Sequence, residues 1–320
     1  MLYSSSDSHN SLQGQTVMQR PRPAWQHLLL IIAYTLAAMF IGQFLAVVFS
    51  MLLFGVGFNE IEGLLANLNH PSIRSIIYLI QAFTAVCGFI IGPLLYLKHW
   101  GQSITLTGLL NNKKLLIIPL LLTVVLTICL MVANGPLIQW NADWQLPSAL
   151  NDFELWARGL ENSAANITKL MVQFTSLPAF VLGLIVLAVI PAVGEELLFR
   201  GLIQPALAKI TGNAHIGIWL AALVFSLFHF QFFGLLPRMA LGVIFGYLFY
   251  WSGSLWYPVI AHFINNGLTL TLVYASSLGY LNFNIEEPDS LPATVVLVCL
   301  AVGLGLFVFF RNYFRKNISA

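Results

Sequence analysis

The chain has 320 residues, of which 58% are hydrophobic and only 8% charged, with a formal net charge of +2. A soluble domain carries roughly 25% charged residues, so this composition excludes a soluble globular protein and predicts an all-α, polytopic membrane protein. Its partners are then the lipid bilayer and whatever enters it, and no nucleic acid is expected. Three cysteines, Cys87, Cys129 and Cys299, all lie in apolar runs. They make no even disulfide framework and read as small buried hydrophobes.

Residues 1–24 form a polar tail rich in Ser, Gln and Asn, followed by about thirty largely apolar residues. That run is too long for a signal-peptide core, so no cleavage is expected. A spanning helix needs about twenty mostly apolar residues. About eight such segments follow in order, at 26–54, 73–97, 115–133, 177–208, 215–231, 233–251, 255–276 and 291–310. They form one transmembrane domain over 25–310, which ends in a short basic tail, 311–320. Gly212-Asn213 is the turn signal between the fourth and fifth spans, and Pro191 and Pro205 are expected to kink the fourth. In the long loop 134–176, Ile167, Leu170, Met171 and Phe174 are spaced i, i+3, i+4, i+7. This predicts a short amphipathic helix, either lying on the outer membrane surface or packed on the bundle.

Lys and Arg orient the bundle. With eight spans and a cytoplasmic N-terminus, the inner segments hold ten basic residues and the outer segments four, namely Arg74, Arg158, Lys169 and Arg238. Acidic residues gather on the outside, at Glu60, Glu62, Asp143, Asp152, Glu154, Glu161, Glu286, Glu287 and Asp289. Both termini are therefore expected in the cytoplasm.

Of the twelve acidic residues, only Glu195 and Glu196 fall inside an apolar span. An ionisable group at bilayer depth costs at least ~2.5 kcal/mol, which makes the pair a functional-site hypothesis. On a helix Glu196 faces Arg200, four residues on, and the two can neutralise each other. Glu195 points about 100° away and is left needing a partner from another span. An orphan carboxylate in apolar surroundings is the kind of group that serves as a general base. Two further clusters supply candidates: Phe225-x-x-x-His229, and His262-x-x-x-Asn266, whose two polar side chains share a helix face. Glu195 and His229 each lie seventeen residues from Gly212, hence at equal depth in an antiparallel hairpin. That placement is consistent with one site open toward the cytoplasm. Glu, two His and an amide can activate water and stabilise a tetrahedral oxyanion. Alternatively, Glu195, His229 and His262 can ligate zinc with an open position for water.

The motifs Glu-Glu-x-x-x-Arg at 195–200, Phe-x-x-x-His at 225–229 and His-x-x-x-Asn at 262–266 resemble, in order, those of the CAAX prenyl protease and bacteriocin-processing (CPBP, or ABI) family of intramembrane proteases. The resemblance covers about 178–270. It implies an endopeptidase acting on a membrane-associated or lipidated peptide, in which Glu195 and His229 activate water, His262 and Asn266 stabilise the oxyanion, and Glu196 with Arg200 supports the site. It leaves open whether the mechanism uses zinc or is metal-free. Aromatic residues Phe225, Phe228, Phe230, Phe232 and Phe233 would suit a hydrophobic substrate if they lined the cavity. The alternatives are a non-enzymatic scaffold or immunity protein on the same fold, or a proton-coupled transporter, which the lack of an internal repeat disfavours.

Overall fold

The computed structural model describes residues 22–57, 60, 63, 70–101, 105–111, 115–281 and 291–318. The polar stretch up to residue 21, Glu62, Lys113, Lys114 and the acidic group Glu286, Glu287 and Asp289 lie outside the described residues. Helices and turns alone make up the described chain, with no strand among the described residues. The chain is a multi-pass, all-helical integral membrane protein. Its long helices are α1 (Ala24–Phe54), α2 (Ile73–Trp100), α3 (Ile117–Ala142), α4 (Asn151–Met171), α5 (Leu177–Thr211), α6 (Ala214–Leu227), α7 (Leu235–Ser252), α8 (Trp256–Ser277) and α9 (Ala293–Ile318). Among the described residues six helices, namely α1, α2, α3, α5, α7 (counted from Phe232) and α9, are long and apolar enough to cross a membrane, and α6 is a shorter apolar helix.

Each expected span falls on one of these helices, but the expected count of eight is not reproduced by length and apolarity, since α6 is too short and α8 is not among the six. Helix α3 also runs on to Ala142 through Pro136, and α9 runs on to Ile318. Helix α5 is unbroken by its prolines. Its backbone widens into π-helical segments at Ile185–Val189 and Glu196–Ile203, each ending two residues before a proline, Pro191 and Pro205. Helix α2 repeats the device, with Val86–Ile91 in π form before Pro93. Proline cannot donate to the carbonyl four residues back, and its ring collides with that carbonyl. A wider turn moves the carbonyl away without breaking the helix.

The two ends of the bundle are told apart by their contacts. At one end the Arg22 guanidinium lies 3.9 Å from the centre of the Trp100 ring, and Leu116 N–H donates to the Tyr257 hydroxyl (3.0 Å). Three His–Tyr contacts belt this end: His27 with Tyr96, His99 with Tyr34 and His215 with Tyr247. At the other end the Tyr78 hydroxyl donates to Met171 O (2.7 Å), and Leu236 N–H donates to Asn141 Oδ1 (2.9 Å).

Helix α4 belongs to this second end and is longer than the periodicity at 167–174 suggests, spanning 21 residues and stopping at Met171 before Phe174. It packs on the bundle: Glu161 accepts from Phe233 N–H (3.0 Å), Phe153 and Trp156 meet the Phe232 ring, and Arg158 stacks 3.9 Å over the centre of Phe233.

Gly242 and Gly246 on α7 serve close helix packing within the chain. A Cβ at Gly242 would lie 3.1 Å from Ala222 Cβ, and one at Gly246 would lie 2.8 Å from both Gln204 Oε1 and Ile218 Cγ2.

Candidate active site

Helix α5 supplies the acidic pair where its second π-helical segment begins. Glu196 is fully buried and Arg200 is 1% exposed. Arg200 Nη1 donates to Glu196 Oε1 at 2.7 Å, as the four-residue spacing predicts. Nη2 reaches across to the carbonyl of Gly242 on α7 (3.2 Å), and the guanidinium sits 4.6 Å from the centre of the Phe225 ring. The cation thereby ties α5 to α6 and α7. One turn on, Gln204 Nε2 donates to Gly246 O (3.1 Å) and repeats the bridge.

Glu196 has a second partner that local sequence could not reveal. Its Oε1 lies 2.8 Å from His262 Nδ1 on α8. A carboxylate accepts, so His262 carries its proton on Nδ1, and its Nε2 is turned toward Glu195, 3.9 Å from Oε2. His262 itself is 5% exposed and stacks on Phe245 at 5.7 Å between centres. His229 sits just past the end of α6, and its Nδ1 lies 2.9 Å from the carbonyl of Phe225. A carbonyl only accepts, so Nδ1 is again the protonated nitrogen, and Nε2 of neutral His229 carries a lone pair. Phe225 and His229 in their four-residue motif are thus bonded to each other through the backbone.

Asn266 spends its amide locally. Its Nδ2 donates to Leu187 O (3.2 Å), the carbonyl four residues before Pro191, to which proline has no N–H to offer. That bond points Asn266 Oδ1 the other way, toward Asn265 Nδ2 at 3.0 Å. One amide hydrogen remains on each asparagine.

Glu195, His229, His262 and Asn266 line one cavity of about 420 Å³, together with Phe225, Pro191, Leu187, Leu241 and Phe245. The structure therefore brings all four candidate residues together, with Glu196 and Arg200 buried behind them. Four further lining residues were missed: Gln81, Asn134, Arg238 and Asn265. Arg238 could have been found, as the one basic residue of the predicted sixth span; its position near the span's start made it read as a loop charge. Its guanidinium donates to Gln231 Oε1 (2.7 Å). Asn265 and Gln81 are polar residues inside apolar spans, and Asn265 adjoins a motif residue, whereas Asn134 lies just past the expected third span and carries no such signal.

Two expectations need correction. Of the five phenylalanines, only Phe225 lines the cavity. Phe228 packs on Phe89 and Phe199, Phe230 is 60% exposed, and Phe232 and Phe233 are covered by α4. Nor does the cavity lie toward the Gly212 turn alone. Gln81 on α2, Asn134 and Ile138 on α3, and Pro237 and Arg238 on α7 fall in the halves of those helices nearer α4, and Gly234 in the α6–α7 connection completes that wall. Glu195 on α5, Phe245 on α7 and His262, Asn265 and Asn266 on α8 lie near mid-helix or toward the other end. Equal offsets from Gly212 fix a common depth but not the face on which the site opens, and His229 lies at the far end of α6.

Among the described residues no group of three or more His, Cys, Asp or Glu side chains converges to hold a metal ion. Glu195 and His262 approach each other, but His229 does not complete a three-ligand set. The described residues do not fit a zinc centre.

Comparison with known proteins bears on the same segment. Residues 177–268 match the family model described as type II CAAX prenyl endopeptidase Rce1-like, so the resemblance carried by the three motifs holds over α5 to α8. An uncharacterized protein of Bacillus subtilis (strain 168), YpbD, is 34% identical over 110 residues, which cover 33% of this chain and 51% of that protein. The chain thus spans about half the length of the curated relative it matches. No solved structure matches.

Proposed function

We propose that the chain is an intramembrane endopeptidase, a hydrolase that cleaves a peptide bond of a membrane-associated or lipidated substrate, and that it resides in a bacterial cytoplasmic membrane. The observation that carries this reading is the convergence of Glu195, His229 and His262 on one cavity, backed by a buried Glu196–Arg200 pair.

In this reading a water molecule is held between the Glu195 carboxylate and the lone pair on His229 Nε2. Either group takes a proton as the water oxygen attacks the scissile carbonyl carbon. The carbonyl π electrons move to oxygen, and the resulting oxyanion needs donors. His262 can donate from Nε2 only as an imidazolium, because its Nδ1 proton is committed to Glu196. The buried Glu196 carboxylate holds the Nδ1 side of the ring, which gives Glu196 a positioning role. The remaining amide hydrogen of Asn266 is the second donor. When the tetrahedral intermediate collapses, the C–N bond breaks and the proton taken from water passes to the leaving amine. Each proton-transfer group is expected to contribute about 10²–10⁴-fold, and each oxyanion donor about 10²–10³-fold.

The test uses purified wild type and Glu195→Gln in liposomes with a panel of fluorogenic hydrophobic and lipidated peptides. The reading expects cleavage by wild type and none by a mutant that elutes and unfolds like wild type. Equal cleavage by both proteins would overturn it.

A further inference from the structure

We infer that the cavity is served from the extracytoplasmic side of the membrane, so that its substrates are exported polypeptides or the external segments of membrane proteins. This deepens the peptidase reading and rests on it for the word substrate. The side of access stands on two independent observations.

The first is the charge of the two ends. The end marked by Trp100, Gly212, Gly253 and Tyr257 carries Arg22, Lys98, Lys209, Arg311, Arg315 and Lys316, and among the described residues it holds no acidic side chain. The end that holds α4 carries Glu60, Asp143, Asp152, Glu154 and Glu161 against Arg74, Arg158 and Lys169. Two basic residues drop out of the sequence count, since Arg200 is buried in the bundle and Arg238 lines the cavity. Among the described residues, six basic side chains at the Trp100 end then stand against three at the α4 end. Basic residues near span ends stay in the cytoplasm, which makes the α4 end external.

The second is where the cavity lies. His229 lies just beyond the far end of α6, whereas His262 and Asn266 are six and ten residues past Trp256, ~9 and ~15 Å from the basic end at 1.5 Å per residue. The reacting groups thus span the middle of the bundle, and the side of access is decided by the wall between them and the acidic end. Gln81, Asn134, Ile138, Gly234 and Arg238 extend the wall in that direction, and Gln81 and Ile138 are exposed. From the basic side the path is closed by packed side chains: Leu198, Phe199, Leu202 and Ile203 are each no more than 6% exposed. A lipidated cytoplasmic C-terminus would have to cross that layer.

The experiment needs no substrate. In a chain whose Cys87, Cys129 and Cys299 are changed to Ala, single cysteines are introduced by Gln81→Cys in the cavity wall, Leu155→Cys on the exposed face of α4 and Lys209→Cys at the basic end. Intact spheroplasts are treated with a membrane-impermeant maleimide. Gln81→Cys and Leu155→Cys should label at least tenfold faster than Lys209→Cys, which should react only after permeabilisation. The reverse order overturns the proposal, as does labelling of Leu155→Cys without Gln81→Cys, since the cavity would then be closed from outside. A second arm adds the fluorogenic peptides to right-side-out and inverted vesicles, and cleavage only in the inverted ones also overturns it. Cleavage in neither would sink the peptidase reading, while the labelling order still decides the side.

Discussion

Replacing Arg200 by Met probes the joint that holds the site together. The guanidinium is 1% exposed and makes a 2.7 Å bond to Glu196 and a 3.2 Å bond to Gly242 O. Methionine fills most of the volume but leaves a fully buried carboxylate facing only His262. Breaking a buried ion pair from one side costs about 3–5 kcal/mol, because the remaining charge is uncompensated. At 1.36 kcal/mol per tenfold change, that is about a 10²–10⁴-fold shift in the folding equilibrium. Equilibrium unfolding in mixed micelles, titrated with a denaturing detergent, reads this shift. The double variant Glu196→Gln/Arg200→Met removes both charges together and should cost less than the sum of the singles, with a coupling of about 1–3 kcal/mol. A loss below ~1 kcal/mol for Arg200→Met, as exposed pairs show, would refute the argument, and so would additive singles.

Other predictions follow from individual contacts. Asn266→Ala removes the donor to Leu187 O and should destabilise by about 1–3 kcal/mol. The penalty should shrink in a Pro191→Ala background, where residue 191 regains an N–H, and the same unfolding titration compares the two. Gly217→Ala places a Cβ 2.6 Å from the backbone nitrogen of Ala208 and should lower stability by at least ~1–3 kcal/mol. Gly305→Ala, with nothing within 4 Å of the new Cβ, should be neutral or stabilise by ~0.5–1 kcal/mol. Outside the spans, the Leu146 N–H bond, followed by Arg158, holds the Glu154 carboxyl below its ordinary value. Its folded-state contribution is therefore present above the usual carboxylate range near 4 and is lost as pH falls through the lowered value. Hydrogen exchange at the Leu146 amide should speed up only at that acidic limit, and no change on protonation would contradict the contact. Glu196→Gln should loosen the ring orientation that the 2.8 Å bond to His262 Nδ1 fixes and lower kcat more than it raises KM, a split that a purely structural role would not give.

What the sequence revealed and what it hid divide along physical lines. Hydropathy located the helices because lipid demands long apolar runs and leaves little freedom in their length. The Glu196–Arg200 pair was legible because both partners lie one turn apart on the same helix, whereas the bond from His229 to Phe225 O forms just past the end of α6 and was not expected. The bond from His262 to Glu196 spans 66 residues, and no periodicity encodes it. Pro191 suggested a kink, whereas the backbone absorbed it in a π-helical segment and handed the Leu187 carbonyl to Asn266. The amphipathic spacing at 167–174 was real at Leu170 and Met171 but identified only the end of α4, whose acidic first turns hid the rest. Which face the cavity opens on depended on wall residues from α2, α3 and the α6–α7 connection, and these came together only in three dimensions.

The central claim is that water activated at Glu195 hydrolyses a peptide bond inside the cavity. Its most direct test is turnover of a cleavable peptide by reconstituted wild type in H₂¹⁸O, with mass spectrometry of the products. The account predicts a single ¹⁸O in the newly formed carboxyl group, and no product from Glu195→Gln. A folded Glu195→Gln variant that releases the same labelled product at the wild-type rate would contradict it.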